Sequence, residues 1–154
     1  MAPDFRPARS DESPGRELLA ELIDHFNAIY PGRAARPGSV TTPREMAPPE
    51  GAFLIGWEGE RAVACGGLRR LEDGICEIKR MYVVPGARSR GVGRALLRAL
   101  EDAARELGYD RVRLDAGPEQ RHSRVLFAST GYVEIAPYNG NHIADYWAEK
   151  VLPT

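Results

Sequence analysis

Glu77-Ile78-Lys79-Arg80-Met81-Tyr82-Val83-Val84-Pro85-Gly86-Ala87-Arg88-Ser89-Arg90-Gly91-Val92-Gly93-Arg94-Ala95 decides the fold. Its first part is apolar enough to be a strand and runs back to Ile75. Pro85-Gly86 stops it. A short loop carrying Arg88, Arg90 and Arg94 follows, and an amphipathic helix is predicted over 92–107. Val92, Ala95, Leu96, Ala99, Leu100, Ala103 and Leu107 form its apolar stripe. Arg94, Arg98, Glu101, Asp102 and Arg105 are assigned to its polar side, with Glu101 and Arg105 as an i,i+4 pair. The first amides of a helix have no intrahelical acceptor, and the helix dipole adds positive charge there. Gly91 and Gly93 let a ligand approach that backbone, so strand, loop and helix together make an anion site suited to a diphosphate.

Outward from this unit, the chain reads as one domain over residues 1–154. Phe5 to Ala8 is a candidate first strand. A helix opens after Pro14-Gly15, with Leu18, Leu22, Phe26 and Ile29 at helical spacing, and stops at Pro31-Gly32. Residues 32–42 read as loop and 43–46 as one helical turn. Strands follow over 52–57, 61–69 and 75–84, and Gly66-Gly67 marks a bulge or a close backbone approach. After Gly108 come a strand over 111–116, a helix over 119–130 and final strands over 132–136 and 143–151. Asn139-Gly140-Asn141 reads as a hairpin turn between those last strands. The fold class is α/β, a mixed and mostly antiparallel sheet of six to seven strands flanked by helices.

Composition sets limits. The chain has 154 residues and a net charge of −1, which gives no general attraction to nucleic acid or membrane surfaces. No segment approaches the ~20 apolar residues of a membrane-spanning helix. Cys65 and Cys76 lack metal-ligand spacing, and a turn centred near Asp73 sets Cys65 opposite Arg80. No disulfide and no metal are expected, and the reading is of a reduced, cytoplasmic protein.

Two phosphate loops do not fit. Gly-x-x-x-x-Gly-Lys-Ser/Thr is absent, and Leu96 stands where a dinucleotide fingerprint needs its third glycine. Arg88-x-x-Gly91-x-Gly93 instead resembles the Gln/Arg-x-x-Gly-x-Gly/Ala pyrophosphate loop of the GNAT N-acetyltransferase superfamily. The resemblance extends to Glu77–Val83 as its fourth strand, Gly108-Tyr109 through Asp115 as its fifth, and Ser123-x-x-Leu126-Phe127-x-x-x-Gly131-Tyr132 as its cofactor-side helix and next strand. It implies a splay between the fourth and fifth strands, with acetyl-CoA as acyl donor.

On that resemblance, Arg88, Ser89, Arg90, Gly91, Val92, Gly93, Arg94 and Ala95 hold the pyrophosphate. Backbone groups of Met81, Tyr82 and Val83 take the pantetheine arm beside a bulge, and Gln120, Ser123 and Phe127 contact the cofactor. Arg121 or Arg124 reaches the 3′-phosphate. A free amine attacks the thioester, and because alkylammonium pKa values lie near ~10.4 it needs a base. Glu77 is the first candidate for that base, with Glu134 and Asp145 behind it. Many relatives carry a tyrosine as general acid where this chain has Phe127; Tyr82, Tyr132 and Tyr138 are the substitutes, with Tyr138 taken as the catalytic one. The acceptor stays open among polyamine, antibiotic, amino acid, protein lysine or N-terminus. An acyl-CoA-binding sensor without catalysis is the alternative, and a homodimer is compatible with the resemblance.

Overall fold

A computed structural model describes residues 2–32 and 41–154; most of the loop read over 32–42 lies outside them. The elements are β1 (Asp4–Pro7), α1 (Gly15–Ile29), β2 (Ala52–Glu58), β3 (Arg61–Glu72), β4 (Ile75–Val83), a 3-10 turn (Pro85–Ala87), α2 (Val92–Glu106), β5 (Arg111–Ala116), α3 (Arg121–Ser129), β6 (Val133–Glu134) and β7 (Tyr146–Val151). They build one seven-stranded sheet in the order β1-β2-β3-β4-β5-β7-β6. Neighbours are antiparallel except β4 and β5, which run parallel because α2 carries the chain back between them. The predicted mixed α/β fold is the one observed.

Leu96, Leu97 and Leu100 of α2 are fully buried against β3 and β4. Gly66 makes this approach possible: a Cβ there would stand 2.8 Å from Leu100 Cδ1. The buried stripe is turned from the predicted one toward Leu97, Glu101 and Ala104. Glu101 is therefore not a surface partner of Arg105. Its carboxylate accepts the Tyr132 hydroxyl at 2.7 Å and the Lys150 ammonium at 3.1 Å, and Arg105 pairs with Asp102. A helical period alone does not show that a cation from β7 meets Glu101 inside.

Two further expectations are corrected. The β3–β4 hairpin pairs Cys65 with Tyr82, not with Arg80, because the register shifts twice along it. At one shift Arg80 and Met81 face Gly66 alone, so β4 carries the extra residue of a bulge. Both cysteines are free and buried. Asn139-Gly140-Asn141 is not a hairpin turn: β6 covers only Val133–Glu134, and a long loop leads to Tyr146. The asparagine side chains of that loop are drawn into the interior, as described next.

Candidate active site

β4 and β5 are paired only at Ile75–Arg111, Cys76–Val112 and Glu77–Arg113. Beyond Glu77 they part. The bulge bends β4 away, and Arg80 carries its distortion with a φ of 63°. β5 ends at Ala116, before Gly117-Pro118. The fork is a cavity of about 150 Å³. Its walls include Ile78, Lys79, Arg80 and Met81 of β4, Leu114 and Asp115 of β5, and Leu22, Ile23 and Phe26 of α1. Gln120 just before α3 and Ser123 and Phe127 within it close it, with Asn141 and Ile143 from the long loop. Thus the expected cofactor residues Met81, Gln120, Ser123 and Phe127 meet at one cavity.

The loop before α2 lies along the chain beyond that fork. Gly91 is the N-cap residue in the left-handed region at φ 79°, and no side chain caps the helix. Ser89 is also left-handed, at 65°. The Ala95 amide bonds to the Gly91 carbonyl at 3.0 Å, closing the first turn. The amides ahead of it, on Val92, Gly93 and Arg94, are those an anion would meet. The N–H of Ala95 is itself committed to the helix. Arg88 donates from Nε to the Val83 carbonyl at 2.9 Å and stacks over the Tyr82 ring. Arg90 makes a bidentate pair with Glu58, both contacts 2.9 Å. Arg94 reaches Ser129 Oγ at 3.3 Å.

Glu77 stands at the crotch of the fork and is 1 % exposed. Its Oε1 accepts Arg69 Nε at 2.9 Å, with Lys79 Nζ at 3.8 Å. Its Oε2 accepts the Tyr138 hydroxyl at 2.6 Å and Asn139 Nδ2 at 2.9 Å. Burial alone pushes this carboxyl up, but Lys79, the Tyr138 hydrogen bond and Arg69 together hold it below the usual range. Burial, then the charge of Glu77, drives the Tyr138 hydroxyl far above its ordinary value. Neither Glu77 nor Tyr138 is on the cavity wall. Glu77 is the hub of a donor network, and the Tyr138 proton is directed at Glu77. Tyr82 and Tyr132 give their hydroxyls to Glu21 and Glu101. Asp145 is paired with Arg124, and Glu134 is exposed on the edge strand.

Asp115 is the carboxylate on the wall. Its Oδ2 accepts Asn139 Nδ2 at 2.8 Å and Asn141 Nδ2 at 3.1 Å. Trp147 Nε1 donates to Asn139 Oδ1 at 2.8 Å and so fixes which way that amide faces. Asn139 therefore bridges Glu77 and Asp115. Lys79, Arg80, Asp115, Asn139 and Asn141 are given no part in the site by the sequence reading. The one available signal is Asn-x-Asn: two carboxamides two residues apart can serve as donors as well as form a turn. Among the described residues, no three or more His, Cys, Asp or Glu side chains gather as metal ligands would.

A sequence model described as the Acetyltransferase (GNAT) family matches residues 17–132, and the chain belongs to that family. It is 30 % identical to the IAA acetyltransferase of Azospirillum brasilense over 132 residues, covering 82 % of this chain and 84 % of that one. A Klebsiella pneumoniae crystal structure assigned as an acyl-CoA N-acyltransferase superposes with a TM-score of 0.76 at 26 % identity, over 97 % of both chains. A GNAT family acetyltransferase from Elizabethkingia anophelis, solved with acetyl-CoA bound, superposes at 0.66 with 16 % identity over 97 % of both chains. The protein is an acyltransferase that uses a CoA-type donor.

Proposed function

We propose that the protein is an N-acetyltransferase that moves the acetyl group of acetyl-CoA to a primary amine by direct attack on the thioester. The observation that supports this most is the fork itself: the one carboxylate on its wall among the described residues, Asp115, lines the same cavity as Arg80 and Met81 of the β4 bulge. The pyrophosphate sits on the amides of Val92, Gly93 and Arg94, with Arg88, Ser89, Arg90 and Gly91 around it and Ala95 beneath. The pantetheine follows Met81, Tyr82 and Val83, against Gln120, Ser123 and Phe127. Two free, buried cysteines suit a reduced cytoplasmic compartment.

Asp115 takes a proton from the ammonium, and the nitrogen lone pair forms a bond to the thioester carbon. The carbonyl oxygen becomes an oxyanion, met by an amide released at the Arg80–Met81 bulge. The C–S bond then breaks, and the departing thiolate takes up the second proton of the nitrogen, leaving the amide and the CoA thiol. With thiol pKa values near ~8.5, that step proceeds without a protein acid, so Phe127 is no obstacle. Glu77 acts as a positioning residue. It holds Asn139, which holds Asp115, and it keeps Tyr138 in place.

The test follows free CoA thiol with acetyl-CoA and a broad amine panel. Turnover of at least one amine above hydrolysis is expected. Asp115→Asn should cut kcat by about 10²–10³ while the acetyl-CoA Kd stays the same. A full rate in that variant removes Asp115 as the base, and no turnover with any amine overturns the activity.

A further inference from the structure

Arg80 lines the cavity as a cation without a partner among the described residues. It is partly buried, and burial lowers its guanidinium pKa. Its side chain makes no hydrogen bond or ion pair with any described residue. Residues 33–40, Arg-Ala-Ala-Arg-Pro-Gly-Ser-Val, contain no Asp or Glu that could serve as partner. Its backbone sits at φ 63°, where a residue with a Cβ is strained. Desolvating a cation without an anion is unfavourable, and proteins keep long charged side chains out of such places unless they are paired. Two separate costs fall on one residue that faces the reaction cavity.

The neighbouring charges are already settled. Arg69 is shared between Glu45 and Glu77, each 2.9 Å away, and Lys79 leans on Glu77. Asp115 is held by the two asparagine amides and is in no ion pair with a described residue. Arg80 on β4 and Asp115 on β5 thus present opposite charges to the same cavity without neutralising each other or being neutralised. The loop arginines that would meet the donor phosphates lie further along the chain, on the other side of Pro85. A guest that satisfies both charges carries an ammonium and a carboxylate.

We propose that the acceptor is an amino acid or another short amino-carboxylate, with its carboxylate on Arg80 beside Lys79 and its amine at Asp115. This rests on the acetyl transfer proposed above. Arg80 is the specificity-determining residue. A guanidinium–carboxylate pair inside a partly desolvated cavity contributes a factor of about 10–100 in kcat/KM.

The test uses matched sets: free amino acids, their carboxamides and the corresponding decarboxylated amines, each with acetyl-CoA, following thiol release. The free acids should exceed their matched amides and amines by about 10–100-fold in kcat/KM. Arg80→Gln should collapse that ratio toward one through KM for the acceptor, and Arg80→Lys should restore part of it. Equal turnover of acids and carboxamides by the unmodified enzyme overturns the proposal while leaving the acetyltransferase reading intact. The proposal also falls if Arg80→Gln keeps the ratio, or if it weakens acetyl-CoA binding as much as acceptor binding. No turnover with any amine overturns the parent reading and this one together.

Discussion

The loop before α2 and the fork between β4 and β5 are neighbours in the chain but differ in construction. The loop is made from backbone: two left-handed residues, Ser89 and Gly91, and the unshared amides of one helical turn. Its arginine heads are tied outside the amide cradle, to the Val83 carbonyl, Glu58 and Ser129. The fork is made from side chains that arrive on separate elements: Arg69 on β3, Glu77 on β4, Asp115 on β5, Asn139 from the long loop and Trp147 on β7. A site of the first kind answers to local changes only. A site of the second kind behaves as a unit, so removal of one member leaves others buried and unpartnered.

The largest effect expected is at the loop. Gly91→Glu puts a carboxylate at the anion site and should lower acetyl-CoA affinity more than ~100-fold, equivalent to about 3 kcal/mol by titration calorimetry. Gly91→Ala is the control. Nothing lies within 4 Å of the new Cβ, so it should cost only the strain of a left-handed non-glycine residue, about 1 kcal/mol. Retained affinity in the glutamate variant would remove the loop as the anion site. Neither change should disturb the network around Glu77.

Glu77→Gln tests the other side of the contrast. Arg69 and Lys79 lose a buried counter-charge, and stability to urea should fall by about 3 kcal/mol. The sign with pH follows from the direction of the shift. The folded carboxyl titrates below its ordinary 4.5, so its stabilisation is full above that value and is lost as pH falls through the lower folded value. The gap between the parent and the variant should therefore be widest at neutral pH and close as pH drops below 4.5. A gap independent of pH would mean that Glu77 acts through shape alone.

The same contrast explains what can be read from the chain. Arg88-x-x-Gly91-x-Gly93 is legible because its physics is local: glycine at a positive φ, a strand before it and an apolar stripe after it. The sheet is legible for a similar reason, since strands 111–116 and 52–58 are bounded by their own turn residues. Glu101 is misplaced by periodicity because its partners, Tyr132 and Lys150, are 31 and 49 positions away. Asn139 is misplaced because a turn-forming dipeptide and a bridging carboxamide look alike until Glu77, Asp115 and Trp147 are brought to it. Asp115 is visible in the sequence only as an alternating strand residue, and its place on the cavity wall follows from where β4 leaves β5.

The smallest effect separates strain from charge at Arg80. Arg80→Ala removes the guanidinium but keeps a Cβ at φ 63°. Arg80→Gly removes both. If the bulge stores strain, the glycine variant should be more stable than the alanine variant by about 1 kcal/mol, although glycine elsewhere in a strand is the less stable choice. Chemical unfolding of the two proteins side by side measures that difference, and both should lose the guanidinium's contribution to acceptor binding equally. An alanine variant at least as stable as the glycine one would mean that the bulge relaxes once the side chain is gone. The strained backbone would then be a consequence of placing arginine at the fork, not a property of the strand that bends there.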